Sequence, residues 1–89
     1  MKHRSAIERL AKELERKGYN FLKEIEYYDG NRTAGEIDVL AEKDGIVEIY
    51  EIKTNPEDIR HGIEQLLRIE KYLGSMEKYV VCNEVYYHI

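Results

Sequence analysis

The sequence predicts a single small α/β domain, residues 1–89, with a mixed β-sheet flanked by two helices in the order αβββαββ. Three observations lead there. Two segments carry apolar residues at helical spacing. Between them, two β-branched runs are joined by Asp44-Gly45, the strongest short hairpin signal available. At 89 residues the chain has room for one core and buries only about 60–65% of its unfolded surface.

The first helix is expected over residues 3–17, where Ile7, Leu10, Ala11 and Leu14 form one stripe. Ser5 reads as its N-cap, with Glu8 at the capping-box spacing, and Gly18 stops it. Residues 19–28 (YNFLKEIEYY) read as a strand and Asp29-Gly30-Asn31 as a turn. Ile37, Val39 and Ala41 then alternate with polar neighbours up to the Asp44-Gly45 turn, and IVEIYEIKT forms the return strand. Asn55 as N-cap and Pro56 at the first helical position open the second helix. Ile59, Ile63, Leu66 and Leu67 are its expected buried stripe, His61, Gln65, Arg68 and Tyr72 share a neighbouring face, and Gly74 closes it. KYVVC and VYYHI are two short strands around Asn83-Glu84. There is no linker, repeat or low-complexity stretch.

Composition excludes several classes. No apolar run approaches the roughly 20 residues of a membrane span, and the N-terminus reads as a helix start instead of a secretion leader. The lone Cys82 rules out an intrachain disulfide and, with three histidines, a cysteine-rich zinc site; a reducing, cytoplasmic setting is the expectation. Cys82 itself reads as a buried core thiol. The net charge of −4 argues against indiscriminate polyanion binding, but it conceals a gradient. Residues 1–23 carry seven Lys/Arg against three Glu, whereas residues 24–58 carry three against eleven acids.

The register of the central hairpin concentrates the chemistry. A two-residue turn pairs Lys43 with Ile46, and that register carried along the strands sets Asp38 opposite Glu51 and Glu36 opposite Lys53. Residues two apart share a face, so all four are expected together on one side. Like charges directly across a strand pair are destabilising, and fold stability alone asks for no acid pair in so apolar a segment. A hard divalent cation resolves the conflict: Mg²⁺ or Mn²⁺ takes one or two carboxylates, with phosphate oxygens and water completing its shell. The backbone carbonyl of Ile52 can add an oxygen, and Lys53 can orient a water or steady charge developing on a phosphate. This kit suits metal-assisted phosphodiester hydrolysis. The bland alternative is that the acids line a solvated face, Glu36 and Lys53 forming a surface bridge of little worth.

Asp38, followed thirteen residues later by Glu51-Ile52-Lys53 on an adjacent strand, resembles the PD-(D/E)XK nuclease superfamily. The element order is similar to that superfamily's restriction-endonuclease-like core, and GEIDVL (residues 35–40) looks most like archaeal Holliday junction resolvases and related small repair nucleases. The usual Pro before the Asp is absent. The resemblance implies a metal-dependent DNA endonuclease, with Asp38, Glu51, Lys53, a helix-1 glutamate at Glu8 and Gln65 catalytic, and with Asp38, Glu51, Ile52 and Glu8 around Mg²⁺ or Mn²⁺. Gln65-Leu66 is similar to the glutamine motif of RecB-like nucleases, although the spacing to Tyr72 differs.

A nuclease must hold DNA, duplex or branched. Lys2, Arg4, Arg9 and Lys12 on the first segment, Arg32 in the loop before Asp38, and His61 and Arg68 on the second helix are the expected phosphate contacts. No base-reading motif is present, so structure-selective or nonspecific cutting fits better than sequence recognition. A homodimer is expected through the tyrosine-rich C-terminal strands, giving two active sites. The alternative function is a catalytically silent module of the same fold that binds DNA or protein.

Overall fold

A computed structural model describes residues 2–89. Helix α1 (His3–Arg16) leads into β1 (Asn20–Asp29), β2 (Arg32–Lys43) and β3 (Ile46–Lys53). A 3₁₀ turn (Pro56–Asp58) then opens α2 (Ile59–Leu73), followed by β4 (Glu77–Cys82) and β5 (Val85–His88). The five strands form one mixed sheet in chain order, antiparallel except for the β3–β4 pair, whose crossover is α2. The expected order of elements is therefore present. Among the described residues no helix is long and apolar enough to cross a membrane.

The two helices cover opposite faces of the sheet. Ile7, Leu10 and Leu14 of α1 pack on Val39, Ala41, Tyr50, Ile52 and Val81. Leu66 and Ile69 of α2 pack on Tyr27, Ile37, Ile49 and Val80. The buried stripe of α2 thus differs from the expected one: Ile69 is buried, while Leu67 is 47% exposed because it is rotated about 100° from Leu66. Gly62 sets how low α2 sits, since a Cβ there would lie 3.3 Å from Val80 Cγ2 and from Lys53 Cε.

The element ends show where local signals held. Gly18, at φ +85°, ends α1 with the Tyr19 amide on Leu14 O and the Gly18 amide on Glu15 O, a Schellman pattern. Ser5 does not cap: the N-cap is Lys2, three residues earlier, with no side-chain cap bond, so Ser5 and Glu8 lie within the helix. Asn55 likewise makes no side-chain cap; its carbonyl accepts the Asp58 amide and the first turn is 3₁₀. Asp44 and Gly45 both have positive φ, as a type I′ hairpin requires. Asn83 and Glu84 do the same without a glycine, between the two C-terminal strands. Arg32, expected in a loop, begins β2, and the expected turn narrows to Gly30-Asn31, because β1 and β2 pair out to Asp29↔Arg32. In β4, Val80, Val81 and Cys82 are buried inside the sheet, so of the two C-terminal strands of the expected two-fold contact β5 is the one at a sheet edge.

The β1–β2 ladder carries a local break that positions the site. Pairing keeps one register on either side, Lys23↔Val39 and Ile25↔Ile37, but the Glu24–Asp38 pair between them is missing and Glu24 has φ +51°. Phe21, Val39 and Ala41 pack with the α1-side cluster, whereas Ile25, Tyr27 and Ile37 pack with the α2-side cluster. The alternation of faces resets at Asp38.

Gly35 lies opposite Tyr27, and a Cβ there would meet Tyr27 Oη at 2.7 Å and two ring carbons at 2.9 Å. The buried ring occupies the space a side chain would need. Gly35→Ala is expected to destabilise the fold by about 1–3 kcal/mol through overpacking. Urea melts of a double-mutant cycle with Tyr27→Leu should show that penalty largely removed.

Candidate metal and phosphoryl-transfer site

Pairing between β2 and β3 follows the register set by the hairpin turn, but it stops at Val39↔Tyr50. One step beyond, where Asp38 would face Glu51, the ladder gives way to a side chain. Asp38 Oδ2 accepts the backbone amide of Ile52 at 2.9 Å, a donor that a continued ladder would give to a β2 carbonyl. In an extended strand the N–H and C=O of one residue leave on the same side, so the Ile52 carbonyl is also directed toward this opening.

Both acids are buried, Asp38 at 5% and Glu51 at 3% exposure, the two buried charged residues of the chain's described part. Glu51 Oε2 has no hydrogen-bond partner among the described residues. The Glu51 carboxyl is pushed up from 4.5 to about 9, first by burial, then by hydrogen bonding with Asp38 and its charge; Glu36 adds to the rise and Lys53 opposes it. Without a cation, Glu51 therefore keeps its proton at neutral pH and the acid pair holds one negative charge fewer than its composition suggests.

Lys53 is half-buried beside Gly62 and takes part in no ion pair within 4.0 Å among the described residues. Gln65, one turn beyond Gly62 on the same side of α2, buries an Oε1 that has no partner. A buried acid oxygen, a buried amide oxygen and a half-buried ammonium outside any ion pair leave hydrogen-bonding capacity unused among the described residues.

Two expected residues stand elsewhere. Glu36 is exposed opposite Glu26 of β1, not paired with Lys53, since the phase reset at Asp38 breaks the shared face. Glu8 turns to Lys23 Nζ at 2.6 Å, which lowers its pKa, and makes no contact with the acid pair. Its place near Asp38 is taken by His3, whose Nε2 lies 3.2 Å from Asp38 Oδ2. Sequence spacing offered no signal for His3, because the contact joins the first turn of α1 to the middle of β2.

The basic residues are exposed but spread out. Lys2 flanks His3 at the start of α1, and Arg4 pairs with Glu24 at 3.8 Å. Arg9 pairs with Glu84. Lys12 lies about 13 Å along the helix axis from His3. Arg32 sits at the hairpin tip, about 20 Å of strand from Asp38. His61 and Arg68 are exposed on α2, and Tyr72 rests against Tyr27 with centroids 5.5 Å apart.

Among the described residues no group of three or more His, Cys, Asp and Glu side chains is arranged around a metal position. The oxygen set that is present, two carboxylates and a nearby backbone carbonyl, fits a hard cation that retains waters, and not zinc or a transition metal needing a full protein cage.

The fold has a solved counterpart. The crystal structure of AF1548, a protein of unknown function, superposes with a TM-score of 0.68 at 22% identity over 88% of this chain. This chain spans 45% of the length of that one, so the likeness concerns the α/β fold of one part of a longer protein. No family model matches the sequence, and no curated protein sequence matches it.

Glu51 supplies a pH test. The folded chain holds a proton at Glu51 that the unfolded chain has released above about pH 4.5, so the unfolded state binds fewer protons and stability falls as pH rises. The loss runs from about 4.5 up to about 9, with a slope approaching roughly 1.4 kcal/mol per pH unit. The partly exposed acids paired with cations, Glu8, Glu13 and Glu70, have lowered pKa values and act below this window. In metal-free buffer, urea melts of Glu51→Gln should lose most of the slope and exceed wild-type stability at pH 8.

Proposed function

We propose that this chain is a metal-dependent endodeoxyribonuclease of the PD-(D/E)XK class, with a restriction-endonuclease-like arrangement of its αβββαββ core. The observation that carries the reading is the buried Asp38–Glu51 pair at the point where the β2–β3 ladder opens. Two acids are forced together and one oxygen is left without a partner among the described residues. A structural role would not maintain this cost; a divalent cation removes it.

Asp38, Glu51 and the Ile52 carbonyl are the groups that would hold Mg²⁺ or Mn²⁺, which when bound supplies Lewis-acid polarisation of a phosphate and a more acidic water. Each residue then has a task. The Ile52 amide holds the Asp38 carboxylate in one orientation. Glu51 gives up its proton as the site fills and adds the second negative charge. Lys53, free of ion pairs, stabilises charge on the phosphate oxygens and holds the attacking water by hydrogen bonding. Gln65 offers a buried amide oxygen to the same water or to the lysine. Lys2 and Arg4, at the end of α1 that reaches Asp38, are the phosphate contacts nearest the chemistry, and Arg9, Lys12, Arg32, His61 and Arg68 lie along possible strand paths. A second copy pairing along the free edge of β5, where Val85, Tyr86 and Tyr87 are exposed, would supply the second active site that cutting both strands of a duplex or junction needs.

A second reading is a silent module of this fold that binds DNA or protein. It is favoured by the net charge of −4 and by the scatter of the basic residues. Supercoiled plasmid and branched oligonucleotides, each with Mg²⁺, Mn²⁺ or EDTA, separate the two. Wild type should nick or cut only with the metal, Asp38→Ala should be inactive, and Lys53→Ala should lose about 10²–10³-fold in rate while keeping most DNA affinity. Metal-dependent binding without cleavage by wild type selects the silent module, and cleavage unchanged in Asp38→Ala defeats the nuclease.

A further inference from the structure

Asp38 is gripped from two elements at one oxygen. Oδ2 takes the Ile52 amide at 2.9 Å from β3 and lies 3.2 Å from His3 Nε2 on α1. Because a carboxylate offers only acceptors, Nε2 is the ring nitrogen that carries the hydrogen and donates. Two donors on Oδ2 leave Oδ1 as the oxygen that neither the Ile52 amide nor His3 engages. The contact is also costly to form by accident: an otherwise half-exposed imidazole reaches a carboxylate that is 5% exposed and already has a backbone donor.

We propose that His3 is a positioning residue of the metal site, its Nε2–H fixing the rotation of the Asp38 carboxylate so that Oδ1 is presented to the cation. The inference rests on the metal-dependent reading above and extends it to the first turn of α1. Hydrogen bonds to ligating carboxylates orient them and raise metal affinity, and their removal typically weakens binding 10–100-fold. Glu8 cannot serve this purpose while it is engaged by Lys23 at 2.6 Å. His3 therefore does for the acid what the helix-1 glutamate was expected to do for the metal: it joins α1 to the site.

Mn²⁺ titration by calorimetry and by electron paramagnetic resonance tests this without any turnover. Relative to wild type, His3→Ala should bind Mn²⁺ about 10–100-fold more weakly, with the metal-free melting temperature little changed. His3→Gln, whose amide N–H can stand where Nε2–H stands, should recover to within about threefold of wild type. Equal Mn²⁺ affinity in wild type and His3→Ala would overturn the role of His3 while leaving the metal site standing. A Gln variant as weak as Ala would overturn it as well, since the donor would not be what matters. Failure of wild type to bind Mn²⁺ at millimolar concentration would remove the metal-dependent reading and this inference together.

Discussion

The hydrogen bond from the Ile52 amide to Asp38 is the constraint around which the central hairpin is organised. It replaces a rung of the β2–β3 ladder with a side chain, so the two strands separate where the acids meet. Had the ladder continued, Asp38 and Glu51 would be an ordinary cross-strand pair, free to splay into water on the sheet surface. Here the layer of α2 lies over one face and α1 over the other, and both acids are almost wholly shielded from solvent. Each ion in such a place costs several kcal/mol unless it is neutralised. A small domain has about 5–15 kcal/mol of net stability in total, so the acid pair consumes a real share of it. The raised pKa of Glu51 is the molecule's response in the absence of a cation: it keeps a proton where it would otherwise keep a charge.

The route from sequence to this site was short because a two-residue type I′ turn fixes register outright. Once Asp44-Gly45 was read as that turn, every cross-strand partner of β2 and β3 followed by counting, and the observed ladder from Lys43↔Ile46 to Val39↔Tyr50 keeps that count. The helices were legible for the same reason, as their buried stripes repeat at a fixed period, with Leu67 and Ile69 exchanged because an apolar residue at a stripe's border reads alike on either side. What could not be read was the reset of faces at Asp38. It depends on Glu24 adopting φ +51°, a conformation uncommon for a side-chain-bearing residue and marked by no glycine or asparagine. Counting by twos through that point put Glu36 on the wrong side. His3 was invisible for a different reason. Periodicity shows which residues share a face of one element, but not which end of a helix overhangs a break in a sheet two elements away.

The fold and the function stand on separate footings. The solved structure of AF1548 shares the α/β fold over most of this chain, and a shared fold at 22% identity hosts many chemistries. The proposal of phosphodiester hydrolysis comes instead from local chemistry among the described residues: an acid pair that conflicts with itself, a lysine outside any ion pair, and a glutamine oxygen buried without a donor. Each is unfavourable for stability, and their coincidence in one region is what sets them apart from scattered surface charge.

Charge then gives the proposed reading an internal logic. Asp38 and Glu51 belong to residues 24–58, a segment with eleven acids against three basic residues. Placing a phosphate against the Asp38 carboxylate, with Glu51 neutral beside it, is unfavourable at close range in a buried site, whatever the basic residues of α1 contribute at a distance. A divalent cation reverses the local sign, and the phosphate in turn completes the cation's coordination. Under that reading, metal and nucleic acid bind with positive coupling, each raising the affinity for the other by the same factor. A net-acidic nuclease is then no contradiction: without metal it repels its substrate, and the ion that enables the chemistry also admits the strand.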